Sequence, residues 1–540
     1  MLLQSKQAHR KHRTVYNLLV AASFLVAACV SARPQRIGVT YESAAQTAAA
    51  LKRLSPASQQ ILDRVHSVGV WPLGDFRYST GIIPNGESVS LDDSAWKTLQ
   101  SVNGAPVDEL WLRKWIEVPK TLDGYDPTGT SIWMPQLNRG AMTIYLNGER
   151  VMAGEDMAPI TLFTSAKPGD KVLLAIHMDP SRGPRRFRGS IQLHLKFAPN
   201  RPDPQVLYTE LVAAAILAPS LSADNLPILD RAIQDINTKA LDAGQQEAFD
   251  ASINKAKADL EPVSKSLGQV SFHETGNSHI DAAWTWPWTE TVDVVRRTFD
   301  TAANLMRQYP FYTYTQSAAQ YNMWLADKYP SQNTRIADLI KQGKWEVVGG
   351  MWVEPDLNMP DGESLTRQLL IGKRAYKQLY GVDVRIGWNP DSFGYNWQLP
   401  QIYKKSGVDY FATQKMSWNE TNQLPVKLFW WESPDGSKVL AYFPDGYGNN
   451  DFSPIRLSND LAHARTLAPG LDNMMDLYGV GDHGGGATGA LLAEGAQWTK
   501  PDRIIPKMQF GTAQSFFSDV ESRINPDSPV WNYKIGRAHV

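Results

Sequence analysis

From Gln269 onward, short apolar runs alternate with longer amphipathic stretches. Residues 270–272 and 345–348 are typical of the apolar runs, and residues 291–307 and 363–380 of the amphipathic stretches. This alternation predicts a β/α fold with a mostly parallel sheet. Active sites in such folds lie at the carboxyl ends of the strands. Side chains that directly follow a predicted strand are therefore the first candidates for chemistry.

Four stretches that follow predicted strands carry reactive side chains. They read GNSHID at 276–281, GGMWVEPD at 349–356, WNPDSFG at 388–394 and GVGDHGGG at 479–486. His279 and Asp281 stand two residues apart, so in extended chain they point the same way and can hold one ion together. Taken alone, each stretch also fits an ordinary turn or polar loop.

Taken together, the four stretches predict a single site. Two histidines and two aspartates form a ligand set typical of zinc without cysteine. A further carboxylate, Asp391, is then free for proton transfer. A metal ion with two working carboxylates is what a metal-assisted, retaining cleavage of a glycosidic bond requires.

At these residues the sequence resembles the family 38 glycoside hydrolases, the α-mannosidases, and particularly their bacterial and cytosolic-type branch. The resemblance covers residues 269–534, about half of the chain. It extends to further matches in the same order: PDGESLTRQ at 360–368, TQKMSWN at 413–419, FWWE at 429–432 and DGSKVL at 435–440. The fold that it implies is a barrel-like α/β catalytic domain of seven-stranded type.

The resemblance also implies a role for each candidate residue. It implies one Zn²⁺ per chain, or another divalent ion, held by four ligands: His279, Asp281, Asp356 and His483. Asp356 would also be the nucleophile, and Asp391 the general acid and later the base. Trp284 matches the aromatic residue on which the mannose ring stacks, and Arg367 and Trp418 are further substrate-binding candidates.

The implied activity is that of an exo-acting, retaining α-mannosidase, which hydrolyses terminal α-D-mannosyl residues of glycans. The metal ion would hold the mannose 2- and 3-hydroxyls while Asp356 attacks the anomeric carbon and Asp391 protonates the leaving oxygen. Metal ligation is expected to keep Asp356 ionised. Asp391 is expected to hold a proton near the working pH.

The first residues are typical of an export signal. Lysines and arginines between residues 6 and 13 precede an apolar run, 18–28, that is too short for an ordinary membrane span. The only cysteine, Cys29, closes an LVAAC segment that resembles a bacterial lipobox, and the alternative is cleavage after Ala32. We expect residues 1–29 to be a signal peptide and the protein to lie in the bacterial periplasm or cell envelope, with lipid on Cys29 as its membrane attachment.

The rest of the chain is predicted to form several domains. Residues 30–67 read as a linker with a helical lead-in, and residues 205–268 as a helical segment. Between them, residues 68–200 alternate apolar and polar side chains and predict a β-sandwich, with a hairpin turn at Asn147-Gly148. This sandwich resembles a galactose-binding-like jelly roll, whose expected role is to pack against the catalytic domain.

The catalytic domain is expected to be residues 269–534, cut short before the helical bundle and C-terminal β domains of the family. Residues 535–540 resemble the translation of a sequencing-library adapter, and we expect them to be non-native. No stretch after the leader is expected to be long and apolar enough to span a membrane.

Composition excludes several other classes of protein. The 54 Lys and Arg residues balance 55 Asp and Glu residues, so nucleic acid is not an expected partner. One cysteine among 540 residues excludes a disulfide scaffold and a cysteine zinc finger.

Two other functions fit part of the sequence. A metal-dependent polysaccharide deacetylase can use a similar barrel and a His/Asp metal site, but it needs no carboxylate as a glycosyl nucleophile. A non-catalytic surface lipoprotein could bind glycans through the jelly roll, but it would not need the four metal ligands.

Overall fold

A computed structural model describes residues 39–100, 110–135, 142–154, 159–178, 191–419, 424–447, 450–480, 484–524 and 528–536. The predicted signal peptide with Cys29, the candidate ligand His483, and residues 537–540 lie outside these ranges. The chain divides into two compact units, Met1–Ala48 and Ala49–Val540. Helix α1 (Val39–Leu51) begins in the first unit, and all other described elements belong to the second.

The described part of residues 70–196 contains two antiparallel sheets. Their strands are β1 (Val70–Pro72), β2 (Phe76–Thr80), β3 (Lys97–Leu99), β4 (Leu110–Glu117), β5 (Ser131–Met134), β6 (Met142–Leu146), β7 (Glu149–Gly154), β8 (Ile160–Phe163), β9 (Lys171–Met178) and β10 (Gln192–Lys196). One sheet has the order β1-β10-β5-β8 and the other the order β3-β2-β4-β9-β6-β7. Leu112, Ile176 and Ile144 lie side by side across β4, β9 and β6 and are fully buried.

The hairpin turn predicted at Asn147-Gly148 is confirmed. These two residues join β6 to β7, which pair antiparallel. Their φ angles are 50° and 84°, and this left-handed backbone is what a two-residue hairpin requires and what Asn and Gly tolerate.

Helices occupy most of residues 204–267, and one helix besides α1 precedes the sheets. They are α2 (Pro56–Ser67), α3 (Pro204–Leu221), α4 (Asn225–Gln234), α5 (Thr238–Asp242), α6 (Gln246–Asp259) and α7 (Glu261–Leu267). Among the described residues, α3 is the one helix long and apolar enough to cross a membrane, with a mean hydropathy of 1.2 over 18 residues. The expectation that no such stretch follows the leader is therefore wrong. Because 61% of α3 is buried inside the protein, it also fits the core helix of a soluble protein.

Ten strands follow among the described residues of the range 271–531. They are β11 (Ser271–Gly276), β12 (Tyr314–Gln316), β13 (Trp345–Val347), β14 (Ile386–Trp388), β15 (Tyr410–Ala412), β16 (Leu428–Glu432), β17 (Lys438–Tyr442), β18 (Asn473–Tyr478), β19 (Lys507–Phe510) and β20 (Val530–Trp531). Strand β11 lies between β18 and β19, β12 pairs with β13, and the third sheet has the order β14-β15-β17-β16-β20. All these pairs are parallel except β16 with β17, so the prediction of a mostly parallel sheet is confirmed.

Eight helices connect these strands within the described residues. They are α8 (Trp288–Gln308), α9 (Ala319–Lys328), α10 (Pro330–Lys341), α11 (Gly362–Tyr380), α12 (Leu399–Lys405), α13 (Pro454–Leu467), α14 (Gly489–Trp498) and α15 (Ala513–Arg523). The ends of α11 follow from sequence: the Asp361 side chain accepts the N–H of Ser364, and Gly381 ends the helix with a φ of 72°.

Backbone contacts join the separate sheets just beyond their strand ends. Asn277, after β11, bridges Thr315 in β12, and the N–H of Gly349, after β13, donates to the carbonyl of Ile386 in β14. The carboxyl ends of β11, β13 and β14 are thereby held at one edge. Closure of these sheets into a seven-stranded barrel stays a prediction.

The segment predicted to be non-native is described only at its start. Ile535 is 1% exposed and pairs with Tyr395 through a single backbone bridge. This packing does not test whether the segment is native, and that prediction stands.

Candidate active site

A pocket of about 200 Å³ opens at the edge where β11, β13 and β14 end. Its wall includes four carboxylates and one imidazole: Asp281, Glu354, Asp356, Asp391 and His279. Three of the four stretches singled out in the sequence therefore meet in one place, because the carboxyl ends of neighbouring strands share an edge.

His279, Asp281 and Asp391 form the candidate metal-ligand group of this pocket. One ligand atom from each residue lies within 4.8 Å of the other two. The Nε2 atom of His279 lies 3.1 Å from Asp281 Oδ1 and 3.5 Å from Asp391 Oδ2. The His279 side chain is 6% exposed, so these atoms face one another within the protein. The pairing of His279 with Asp281 agrees with the two-residue spacing in extended chain.

Glu354 contacts the other nitrogen of the same ring. Its Oε2 lies 3.4 Å from His279 Nδ1, and its Oε1 accepts a hydrogen bond from the Ser317 hydroxyl. A carboxylate on the far nitrogen of a ligating histidine fixes the orientation of the ring and raises its basicity. The sequence pattern assigns Glu354 no role, although this residue stands in the same stretch as Asp356.

The charges around His279 fit a bound cation. Burial alone would lower the pKa of His279, but Glu354, Asp281 and Asp391 outweigh it and raise that pKa well above its ordinary value. His279 Nδ1 and Glu354 Oε2 are buried and face each other at 3.4 Å. Three carboxylates around a single imidazole leave an excess of negative charge, which a divalent ion on Nε2 would neutralise.

Asp356 lines the pocket but does not enter the ligand group. Its side chain is exposed, and its Oδ1 accepts the backbone N–H groups of Asn358 at 2.7 Å and Met359 at 2.8 Å. An aspartate that binds the N–H groups two and three residues ahead stabilises a local turn. Because of this turn after Pro355, the Asp356 carboxylate binds its own loop, and Glu354 contacts His279 instead.

Asp391 contacts Lys415 and Tyr447 as well as His279. Its Oδ1 accepts hydrogen bonds from Lys415 Nζ and, at 2.7 Å, from the Tyr447 hydroxyl. Burial acts to raise the pKa of Asp391, but His279 and Lys415 outweigh it and lower that pKa to about 2. Lys415 and a protonated His279 thus favour the charged form of Asp391, and the proton expected on Asp391 near working pH stays a prediction.

The predicted substrate-binding residues lie outside the pocket wall. Trp284 is 74% exposed and packs edge-on against Trp286. Arg367 is exposed and forms an ion pair with Glu363 one turn earlier on α11, at 2.8 Å. Lys415 Nζ lies over the ring of Trp418, 3.4 Å from the ring centre.

The fourth sequence stretch contacts the site through the backbone of Gly484. His483 lies outside the described residues, but the N–H of Gly484 donates to the carbonyl of His279 at 3.1 Å. The predicted role of His483 as a metal ligand stays a prediction.

Close packing of α11 against the loop after β13 fixes the approach to Glu354 and Asp356. Gly349 and Gly350 have φ angles of 82° and 69°, in the left-handed region that favours glycine. Gly372 of α11 faces this loop, and a Cβ atom there would lie 2.4 Å from the carbonyl oxygen of Gly350. Helix and loop can approach this closely only because residue 372 has no side chain.

Comparison with known proteins gives a consistent result for the second half of the chain. Residues 269–534 match the family model described as "Glycosyl hydrolases family 38 N-terminal domain". The "Alpha-mannosidase" of Saccharomyces cerevisiae is 36% identical over 299 residues, which are 53% of this chain and 27% of that protein. The human "Alpha-mannosidase 2C1" is 39% identical over 256 residues, 47% of this chain and 24% of that protein.

Among solved structures, an alpha-mannosidase from Enterococcus faecalis V583 matches 49% of this chain and 31% of its own. Its TM-score is 0.41 and its sequence identity is 18%. The chain spans about a quarter of the length of the yeast and human relatives.

Proposed function

Because residues 269–534 match the model of the glycosyl hydrolase family 38 N-terminal domain, we propose that the protein is an exo-acting, retaining α-mannosidase that hydrolyses terminal α-D-mannosyl residues of glycans. One observation carries the proposal: a buried imidazole and three carboxylates line one pocket at the strand ends of this domain. The yeast and human relatives are both named as alpha-mannosidases, which supports the same substrate class.

His279, Asp281 and Asp391 would hold the metal ion, with Glu354 fixing the ring of His279. The proposed ion is Zn²⁺, which takes nitrogen and carboxylate oxygen ligands. When bound, the ion would act as a Lewis acid toward sugar hydroxyls and hold the sugar in one orientation. His483 is proposed as a further ligand.

Asp356 is the proposed nucleophile. Its Oδ1 is held by the two N–H groups of its turn, which fixes the carboxylate at the mouth of the pocket. A carboxylate held in this way can attack an anomeric carbon above it without first reorganising. Asp391 is the proposed general acid and base: it would give a proton to the leaving glycosidic oxygen in the first step and take a proton from the attacking water in the second.

Two proposals concern the rest of the chain. The antiparallel sheets of residues 70–196 would be a galactose-binding-like jelly roll that accompanies the catalytic domain. Residues 1–29 would direct export to the periplasm or cell envelope, with lipid on Cys29 as the membrane attachment.

The proposed function is tested with 4-nitrophenyl α-D-mannoside and with an acetylated polysaccharide. We expect release of 4-nitrophenol, its loss in Asp281→Asn, and no acetate from the second substrate. Proton NMR of the first product should show α-mannose before mutarotation. Acetate release without mannoside hydrolysis would instead identify a metal-dependent deacetylase, and initial β-mannose would refute the retaining route.

A further inference from the structure

Lys415 is the most enclosed charged group beside the pocket. It lies in a short 3-10 turn, Lys415–Trp418, and is 3% exposed. Its backbone N–H donates to the carbonyl of Pro390 at 3.0 Å, which ties this turn directly to the loop that carries Asp391. The ligand-group residue and the lysine are therefore held together by main chain as well as by side chain.

Two aromatic rings enclose the ammonium group of Lys415. Its Nζ lies 3.4 Å from the ring centre of Trp418 and 4.4 Å from that of Phe393. Trp418 is 50% exposed and Phe393 is 40% exposed, whereas Lys415 is 3% exposed. The two rings therefore lie between the ammonium group and solvent. A cation between ring faces is attracted by their quadrupoles, and more strongly when water is excluded. Trp418 therefore uses one face of its ring for Lys415.

The two oxygens of Asp391 have separate partners. Lys415 and Tyr447 both donate to Oδ1, whereas Oδ2 faces His279 Nε2 at 3.5 Å. A carboxylate bound in this way cannot rotate without breaking two hydrogen bonds. Its free oxygen stays directed at the ligand group.

We propose that Lys415, caged by Phe393 and Trp418, is a positioning residue that holds Asp391 Oδ1 and thereby presents Oδ2 to the metal ion. This inference rests on the proposed metal site. It assigns Lys415 an effect on metal binding, distinct from any contact with the sugar. Residues that orient a metal ligand in this manner commonly change metal affinity by about 10–100-fold when replaced.

The test measures Zn²⁺ affinity of the metal-stripped full chain by competition with a chromophoric chelator, and Co²⁺ coordination by visible absorption. Lys415→Met should weaken Zn²⁺ binding by about 10–100-fold and shift the Co²⁺ bands. Lys373→Met is the matched control, because Lys373 is also largely buried and its Nζ donates to the carbonyls of Val384 and Ser406. Its loss should lower thermal stability without changing either metal readout.

Asp281→Asn distinguishes failure of this inference from failure of the metal site. If Asp281→Asn binds Zn²⁺ as the wild type does, the metal site itself is refuted. If Asp281→Asn loses Zn²⁺ while Lys415→Met keeps wild-type affinity and Co²⁺ bands, the role of Lys415 is overturned. Trp418→Leu, which keeps the lysine, is the second variant should Lys415→Met fail to fold. It should weaken Zn²⁺ binding in the same direction, and unchanged affinity would overturn the proposal.

Discussion

Replacing Gly372 by alanine should damage both stability and turnover. The new Cβ would lie 2.4 Å from Gly350 O, 2.4 Å from Met351 C and 2.7 Å from Met351 O, all backbone atoms that cannot rotate away. Ordinary contacts begin near 3.4 Å, so α11 or the loop must move by about 1 Å. Overpacking of this kind costs up to about 3 kcal/mol, and alanine returns about 1 kcal/mol of helix propensity. We expect a net loss of about 2 kcal/mol in the free energy of unfolding.

The same displacement should reach the active site, because the loop leads directly to Glu354 and Asp356. A shift of about 1 Å in a reacting group can lower turnover by about 100-fold. Urea unfolding followed by tryptophan fluorescence measures the first effect, and hydrolysis of 4-nitrophenyl α-D-mannoside the second. Gly362→Ala is the control, since a Cβ at the first residue of the same helix meets nothing within 4 Å. Wild-type stability and turnover in Gly372→Ala would refute the reasoning.

Three further predictions follow from individual side chains. Asp356→Ala should abolish mannoside turnover while leaving Zn²⁺ affinity within about threefold, since its carboxylate lies outside the ligand group; tenfold weaker binding would contradict this. Asp391→Asn should slow unactivated disaccharides far more than activated aryl mannosides, whose leaving group needs no proton, and should weaken Zn²⁺ binding; equal losses on both substrates would contradict the general-acid role. Burial lowers the pKa of His273 from 6.5 to about 4, so the unfolded chain takes up a proton first as the pH falls. The contribution of neutral His273 to the free energy of unfolding should therefore be fully present above pH 6.5 and fall by about 3 kcal/mol down to pH 4. Urea unfolding of His273→Gln should lack this part of the pH dependence.

The parts of the site that depend on local geometry could be predicted from the sequence. His279 and Asp281 share a side of extended chain, and the carboxyl end of β11 brings them to the same edge as Asp391. The hairpin at Asn147-Gly148 was equally predictable, because its left-handed backbone excludes most other residues.

The parts that depend on turns and on distant neighbours could not be predicted. The direction of the chain after Pro355 decides that Glu354, and not Asp356, contacts His279, and no periodicity encodes that turn. The charge state of Asp391 depends on Lys415, which is 24 residues away in sequence but adjacent in space. The resemblance includes residues 413–419, but the role of Lys415 becomes visible only from its contact with Asp391.

The most direct test of the account measures hydrolysis of 4-nitrophenyl α-D-mannoside by the purified chain before chelation, after a strong chelator, and after Zn²⁺ is restored. We expect hydrolysis to disappear with the chelator and to return with the ion. Hydrolysis that persists in the metal-free protein would contradict the role given to His279, Asp281 and Asp391. A folded, Zn²⁺-loaded chain that releases no 4-nitrophenol would contradict the proposed activity.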